Sequence, residues 1–252
     1  MNMMMKKLSS KLSILLFLLL PTFALASGGG VHLDSAPIDL SDKESLKNGA
    51  KIFMNYCLSC HSARFMRYKR MADDLGMEES EVLENLVFTG AKIHDTMEIA
   101  MPADQATQWF GTAPPDLSVI SRARGVDWLY TYLRGFYVDE SRPMGVNNIV
   151  FKDVGMPHVL EGLQGKQYLK EEKVNMAYGG EKTMESLVVD GSGSMTPAEY
   201  DKAVTDLVNF LAYVGEPIKA YRLTLGWYVL GFLLILLIPA YRLKKEYWKD
   251  VH

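Results

Sequence analysis

The chain has 252 residues, of which 48% are hydrophobic and 23% are charged, and its formal net charge is −3. This length fits one domain of about 190 residues followed by a tail segment. Residues 12–221 hold 19 basic and 28 acidic residues, a net charge of −9, which argues against a nucleic acid partner. With two cysteines, the chain has no second Cys pair for the usual four-ligand structural zinc site.

The N-terminal segment is typical of an export signal. Lysines precede the apolar run Leu12–Leu20, and Ala24-Leu25-Ala26 forms a small-x-small cleavage site. We therefore predict a cleaved signal peptide over residues 1–26. An N-terminal membrane anchor is the alternative, but the apolar run is shorter than the roughly 20 residues that span a bilayer.

The first predicted helix begins with a capping box. Ser41 is the predicted N-cap and Glu44 is its partner three residues later. The helix should run through Tyr56. Gly49 and Phe53 lie four residues apart on one face, so a second helix can approach closely there.

A Cys-x-x-Cys-His motif, Cys57-Leu58-Ser59-Cys60-His61, follows this helix. The motif is typical of c-type haem attachment. Two thiols at this spacing can add to the two vinyl groups of a haem, and the adjacent imidazole can bind its iron. The alternatives are a redox dithiol, which requires a βαβ pattern that is not visible here, and half of a zinc site.

Two charged segments come next. Ser62–Arg70 holds four cations and is predicted to be a solvated loop, with contact to haem propionates or a partner subunit as the alternative. Asp73–Phe88 has helical spacing and an acidic face. A solvated helix is the default interpretation of such a charge run, and an acidic docking surface for a basic partner is the alternative.

Covalent haem needs an axial ligand opposite His61, and methionine suits electron transfer. The candidates for this second axial position are Met101, Met144, Met156, Met195 and His94. Met101 and Met156 each precede a proline, which stiffens a loop. Spacing alone does not select among these residues.

The C-terminal part begins with a polar stretch, Glu161–Gly193, which is predicted to be a surface insertion. Thr196 and Glu199 then form a second capping box, with proline at the first helical position. This helix should run to about Val214. Its apolar stripe is the expected partner of the face that holds Gly49.

An almost wholly apolar run, Leu223–Ala240, follows this helix. It predicts a transmembrane anchor over residues 218–241. Four cations come directly after it, so the positive-inside rule predicts a cytoplasmic tail over residues 242–252. Residues 27–217 would then form a periplasmic domain on the bacterial inner membrane.

Several segments resemble the cytochrome c1 family. They are Ala113-Pro114-Pro115-Asp116-Leu117-Ser118, Arg122-Ala123-Arg124, Asn147-Asn148 and Val154-Gly155-Met156-Pro157-His158-Val159-Leu160. The haem motif, the C-terminal helix and the single anchor occur in the order typical of that family. The resemblance therefore covers most of the chain after the signal.

The resemblance implies a mainly α fold, with a class I cytochrome c-like haem domain, long loops and one C-terminal transmembrane helix. It implies one covalent haem c held by Cys57 and Cys60, with His61 and Met156 as axial ligands. Arg124 would bond a haem propionate, with Arg122 as second choice. Pro115 would wall an apolar haem face, Trp128 would lie near the haem, and His158 would be structural. No disulfide can brace the ligand loop, so packing alone is expected to hold it.

The function implied by the resemblance is electron transfer within the quinol–cytochrome c reductase. The chain would sit beside cytochrome b, receive electrons from the Rieske iron–sulfur protein and pass them to a soluble cytochrome c. No quinol site is expected in this chain. The alternatives are a haem c subunit of another respiratory complex, such as a terminal oxidase or dehydrogenase, and a haem protein with an open coordination site.

Overall fold

The structure is a computed structural model that describes residues 31–175 and 181–250. The predicted signal peptide lies outside these residues. The helices are α1 Lys43–Ile52, α2 Tyr68–Leu75, α3 Glu79–Asn85, α4 Ala103–Phe110, α5 Ile120–Arg124, α6 Val126–Arg134, α7 Glu161–Gln164, α8 Pro197–Gly215 and α9 Lys219–Tyr247. The strands are β1 Ala63–Arg67, β2 Thr96–Met97, β3 Phe136–Val138, β4 Val146–Asn148, β5 Gln167–Asn175 and β6 Glu181–Val189. They pair as three antiparallel ribbons, β1 with β2, β3 with β4 and β5 with β6.

Helix α1 begins one residue later than predicted. Its N-cap is Asp42, whose carboxylate accepts a hydrogen bond from the Ser45 backbone N–H at 3.1 Å. The predicted cap, Ser41, instead donates its hydroxyl to Asp39 at 2.6 Å. A π-helical turn, Phe53–Cys57, continues α1 and leads directly into the haem motif.

The predicted pairing of the first helix with the C-terminal helix is confirmed. A Cβ added to Gly49 would lie 2.0 Å from the backbone oxygen of Asp206 on α8. The rings of Phe53 and Phe210 are 5.6 Å apart. Only a residue without a side chain allows this approach, and the contact brings the π-helical turn against α8.

A buried polar network fixes the register of α1 and α8. The Ser45 hydroxyl donates to Asp206 Oδ1 at 2.7 Å, and Asn209 Nδ2 donates to Ser45 Oγ at 3.0 Å. Asn209 Nδ2 also donates to the Asp39 carbonyl at 2.7 Å, while Lys202 pairs with the other Asp206 oxygen at 2.8 Å. Because these hydrogen bonds join α8 to Ser45 and Asp39, sliding one helix along the other would break several of them at once.

The start of α8 matches the predicted capping box. The Glu199 N–H donates to the Thr196 hydroxyl oxygen, and the Glu199 carboxylate accepts the Thr196 N–H at 2.8 Å. The helix ends at Gly215, one residue past the predicted end.

The predicted loop over Ser62–Arg70 is wrong. This segment forms β1 and the first residues of α2, because β1 pairs with the distant strand β2. Each of its cations has a protein partner. These partners are Asp116 for Arg64, the His94 carbonyl for Arg67, Asp73 and Glu79 for Lys69, and Asp74 for Arg70.

The predicted helix over Asp73–Phe88 is two shorter helices. Gly76 caps α2 with a φ of +68°, a left-handed conformation that glycine adopts readily. The chain therefore turns between α2 and α3 instead of continuing as one helix.

The predicted surface insertion over Glu161–Gly193 contains a β-hairpin. Strand β5 pairs with β6 from Gln167 opposite Val189 to Asn175 opposite Glu181. The buried Gln167 side chain donates to the carbonyls of Arg134 and Phe136 at 2.9 and 2.6 Å. These two bonds attach the base of the hairpin to the haem domain.

Helix α9 agrees with the predicted transmembrane helix. Among the described residues, Tyr221–Tyr247 is the one helix that is long and apolar enough to cross a membrane. None of its most apolar stretch is buried within the protein. At 1.5 Å per residue its 27 residues extend about 40 Å, more than the roughly 30 Å of a hydrocarbon core.

Candidate haem-binding site

A mainly apolar cavity of about 410 Å³ lies where the haem motif, α6, α8 and two loops meet. Its volume lies within the range of about 300–1,000 Å³ that is typical of cofactor sites. Helix α8 contributes Leu207 and Leu211, and α6 contributes Trp128 and Tyr132. A cleft of about 100 Å³ adjoins it on the side of Cys60.

The two thiols lie at the end of the π-helical turn. Cys57 is buried and lines the cavity, while Cys60 is half-buried and lines the adjoining cleft. The His61 N–H donates to the Cys57 carbonyl at 2.8 Å, which closes the turn that holds the motif. Burial, together with the neighbouring Cys60, raises the pKa of the Cys57 thiol to about 12. Before haem is attached, the Cys57 thiol is therefore neutral at pH 7, which is the form that an apolar cavity wall favours.

The His61 imidazole is oriented by a backbone carbonyl. Its Nδ1 lies 2.8 Å from the carbonyl oxygen of Pro115. Because a carbonyl can only accept, Nδ1 carries the proton, and Nε2 keeps a lone pair. Burial lowers the pKa of His61, although the Pro115 carbonyl and Asp116 act to raise it. The effect of burial is the larger one, so the surroundings favour the neutral imidazole that binds a metal.

The loop that carries Pro115 is bound to the residues just after the motif. Asp116 accepts hydrogen bonds from the backbone N–H and the Nε of Arg64, at 3.1 and 3.2 Å, and from the Ser118 N–H at 2.8 Å. The Leu117 N–H donates to the Ser62 carbonyl at 2.8 Å. These bonds hold the acceptor carbonyl in place relative to His61.

Met156 lines the same cavity as His61. Its Sδ accepts a hydrogen bond from the Tyr132 hydroxyl at 3.5 Å. Among the described residues that line the cavity, Met156 is the one methionine. Met144 packs in a small cluster with Val146, and Met195 lines a separate cavity.

Two asparagines hold the loop that carries Met156, so packing alone is not what fixes it. The Asn147 side-chain oxygen accepts from the Asp153 N–H at 2.9 Å. The buried Asn148 side chain accepts from the Val150 N–H at 2.9 Å and donates to the Tyr132 carbonyl at 2.8 Å. The loop is thereby attached to α6 without a disulfide.

The two candidate arginines have different positions. The Arg124 guanidinium lies 5.1 Å from the Trp128 ring centroid and 5.9 Å from that of Phe151, and it lines the cavity. Both arginines are exposed on α5, but Arg122 is not among the lining residues. His158 stacks on Phe136 at 4.9 Å and pairs with the side-chain oxygen of Gln164 at 2.7 Å.

The sequence profile described as the Cytochrome C1 family matches residues 34–251. The chain belongs to the cytochrome c1 family. As a member, the protein carries one covalently attached haem c and serves in electron transport as the haem subunit of the cytochrome bc1 complex.

Similar proteins match the chain over nearly its full length. Cytochrome c1 of Allochromatium vinosum is 54% identical over 243 residues, covering 96% of this chain and 99% of the relative. The ammonia monooxygenase gamma subunit of Nitrosomonas europaea is 52% identical over 242 residues, covering 96% of this chain and 98% of the relative. Cytochrome c1 of Blastochloris viridis is 28% identical over 269 residues, covering 90% of each chain.

The residues at the cavity fit a haem c in their chemistry. Cys57 and Cys60 supply two thiols on one turn, His61 presents a free nitrogen, and Met156 presents a thioether sulfur. Apolar side chains form most of the remaining wall. Arg124 adds a positive charge to the lining, which is compatible with a cofactor that carries carboxylates.

Sequence reasoning missed several lining residues of this cytochrome c1 family member. Tyr132, Phe151 and Thr112 line the cavity, and none of them lies in a recognisable motif. The signal for Tyr132 was its position four residues after Trp128, which places both rings on one face of a helix. The Pro115 carbonyl is a backbone group, and no sequence pattern marks it as the partner of His61.

Proposed function

We propose that this cavity binds the haem c through Cys57 and Cys60, with His61 and Met156 as the axial ligands of the iron. The observation that carries the proposal is the hydrogen bond of His61 Nδ1 to the Pro115 carbonyl, which leaves Nε2 free. Met156 lines the same cavity and can offer the second ligand.

Three further residues have proposed roles around the porphyrin. Arg124 pairs with a haem propionate, because a planar guanidinium binds a carboxylate in two places, and Arg122 stays the second choice. Pro115 walls one face, and Trp128 packs beside the haem. Lining positions support the roles of Arg124, Pro115 and Trp128.

The chain prepares the site for one-electron chemistry. Bound haem supplies an iron centre that changes oxidation state by one electron. The Pro115 carbonyl keeps the His61 imidazole in one tautomer and one orientation. Apolar residues such as Leu207 and Leu211 exclude water from the cavity, which makes electrostatic interactions inside it stronger.

The proposed electron path enters from the Rieske iron–sulfur protein and leaves to a soluble cytochrome c, with cytochrome b as the neighbouring subunit. Family membership supports the Rieske protein and cytochrome b as partners. The acidic excess of residues 12–221 supports a basic acceptor and argues against nucleic acid.

The proposed topology places the haem domain, residues 27–217, in the periplasm after cleavage of residues 1–26. The anchor, residues 218–241, crosses the bacterial inner membrane, and residues 242–252 lie in the cytoplasm. The cations after the apolar run support this orientation. Protease added to intact spheroplasts should digest the haem domain and spare an epitope attached to the C-terminus; the reverse result contradicts the topology.

Replacing the proposed sulfur ligand tests the site. In Met156→Leu, haem should stay covalently attached, while the near-infrared sulfur-to-iron band of the oxidised protein is lost and the reduction potential falls. Met144→Leu is the matched control, because Met144 packs near the same loop outside the lining of the cavity. A Met156→Leu protein that keeps the band would move the assignment to another residue.

Purification of the complex separates this function from its alternatives. We expect cytochrome b and the Rieske protein to co-purify with the full chain in mild detergent. The relative with 52% identity carries the name of an ammonia monooxygenase subunit, so the partners need direct identification by mass spectrometry. Recovery of a different respiratory complex in place of these two proteins would contradict the proposal.

A further inference from the structure

The hydroxyl of Tyr132 points at the sulfur of Met156. The two atoms are 3.5 Å apart, which is within hydrogen-bond distance for sulfur. A thioether sulfur carries no hydrogen, so the phenol is the donor.

The ring of Tyr132 is held on several sides. It stacks on Trp128 with 4.7 Å between centroids and an interplanar angle of 11°. It also meets the Phe136 ring edge-on, with 5.1 Å between centroids. The Tyr132 carbonyl accepts from Asn148 Nδ2, and the side-chain oxygen of Asn148 accepts from Val150 in the ligand loop. The donor and its acceptor are thus fixed by one connected set of contacts.

A hydrogen bond at this place has a definite electronic consequence. A thioether sulfur has two lone pairs, so it can bind iron with one and accept a hydrogen bond with the other. The hydrogen bond draws electron density from the sulfur and makes it a weaker donor. Oxidised iron depends more on donation than reduced iron does, so the hydrogen bond favours the reduced state. Hydrogen bonding around the axial ligand is one of the levers that set haem potentials.

We propose that Tyr132 is a positioning residue that orients the Met156 sulfur and raises the reduction potential of the site. The inference rests on the proposed ligation by Met156. The two proposals can be tested separately, because ligation needs only the Met156 sulfur, whereas the effect on the reduction potential needs the Tyr132 hydroxyl.

The test compares Tyr132→Phe with the wild type in the full membrane-bound complex. Phenylalanine keeps the ring that packs against Trp128 and Phe136 and removes only the donor. Redox titration should show the equilibrium shifted about two- to tenfold toward the oxidised form, the size of one hydrogen bond. The upper end corresponds to about 59 mV for a one-electron couple. The sulfur-to-iron band should remain, displaced in wavelength.

Tyr130→Phe is the matched control. Tyr130 lies on the same helix, its ring lies 4.5 Å from the Arg134 guanidinium, and it is not among the residues that line the haem cavity. This variant should titrate like the wild type. Tyr132→Leu, which removes ring and donor together, should lower the potential at least as far as Tyr132→Phe. Covalent haem content and thermal unfolding of each variant show whether it folds.

The outcomes separate this inference from the proposed ligation. A wild-type potential in Tyr132→Phe, with the sulfur band present in both proteins, overturns the role of Tyr132 and leaves Met156 as the ligand. A sulfur band that survives Met156→Leu overturns the ligation itself, and the role of Tyr132 with it. A lowered potential in Tyr132→Phe alone, with Tyr130→Phe unchanged, supports the proposal.

Discussion

Gly49 is the residue at which the two long helices of the haem domain touch. A Cβ on Gly49 would lie 2.0 Å from the Asp206 carbonyl oxygen and 2.7 Å from the Phe210 Cβ. Neither of these atoms belongs to a flexible side-chain end, so the helices would have to separate. Helix α8 also supplies Leu207 and Leu211 to the wall of the cavity. The absence of one side chain therefore fixes how closely α1, which leads into the haem motif, approaches α8.

We expect Gly49→Ala to destabilise the protein by about 1–3 kcal/mol, the usual cost of forcing extra volume into a packed contact. Without the close contact, Gly49→Ala should instead stabilise the protein, because alanine is more favourable than glycine inside a helix by about 1 kcal/mol. Urea unfolding followed by circular dichroism measures the change. Gly162→Ala is the control, since nothing lies within 4 Å of its added Cβ. A Gly49→Ala protein as stable as the wild type would refute the close contact.

The haem site shows which residues a sequence can reveal. Cys57, Cys60 and His61 are recognisable because their chemistry lies within five consecutive positions. The Pro115 carbonyl comes to His61 from 54 residues away, and Tyr132 comes to Met156 from 24 residues away. These contacts depend on how loops and helices fold together, so no local pattern predicts them.

Helix starts illustrate the same limit at the level of elements. The capping box of α8 was predicted at the correct residues because Thr196, Pro197 and Glu199 all favour one start. At α1 the serine and the aspartate compete, and Asp42 becomes the cap while Ser41 bonds to Asp39. The pattern alone does not rank two adjacent capping residues.

The short strands were not predicted because each needs a distant partner. Ala63 in β1 pairs with Met97 in β2. Polar residues dominate the β5–β6 hairpin, whose sequence indicated a surface insertion. Strand preference reflects packing against neighbours more than the identity of a residue, so these segments become strands only in the folded chain.

Thr196→Ala tests the contribution of the α8 cap. The mutation removes the hydroxyl that accepts the Glu199 N–H and donates to the Glu199 carboxylate, while the backbone N–H of residue 196 can still donate to that carboxylate. We therefore expect the free energy of unfolding to fall by about 1 kcal/mol. Thr205→Ala makes the same chemical change inside α8, where the threonine hydroxyl bonds only back to the Asp201 carbonyl at 2.8 Å. Thermal unfolding should show a clear loss for Thr196→Ala and little change for Thr205→Ala. Equal losses would mean that the cap itself adds nothing.

Charge is segregated along the whole molecule. Residues 12–221 carry a net charge of −9, whereas the residues from Arg222 onward hold five cations and two acids. The basic end follows an apolar helix that can cross a membrane. A negative domain on one side of the membrane and a positive tail on the other is the arrangement that the proposed topology requires.

This segregation predicts how the complex meets its electron acceptor. Residues 12–221, with their net charge of −9, attract a basic soluble cytochrome over a range set by the Debye length, about 30 Å at 0.01 M salt and 3 Å at 1 M. The second-order rate of electron transfer to such a cytochrome, measured by stopped flow, should therefore fall about tenfold or more across this range. An acidic soluble cytochrome is the matched control, and its rate should rise with salt because screening weakens repulsion. If both rates responded to salt in the same direction, the net charge of the domain would not be what steers the encounter.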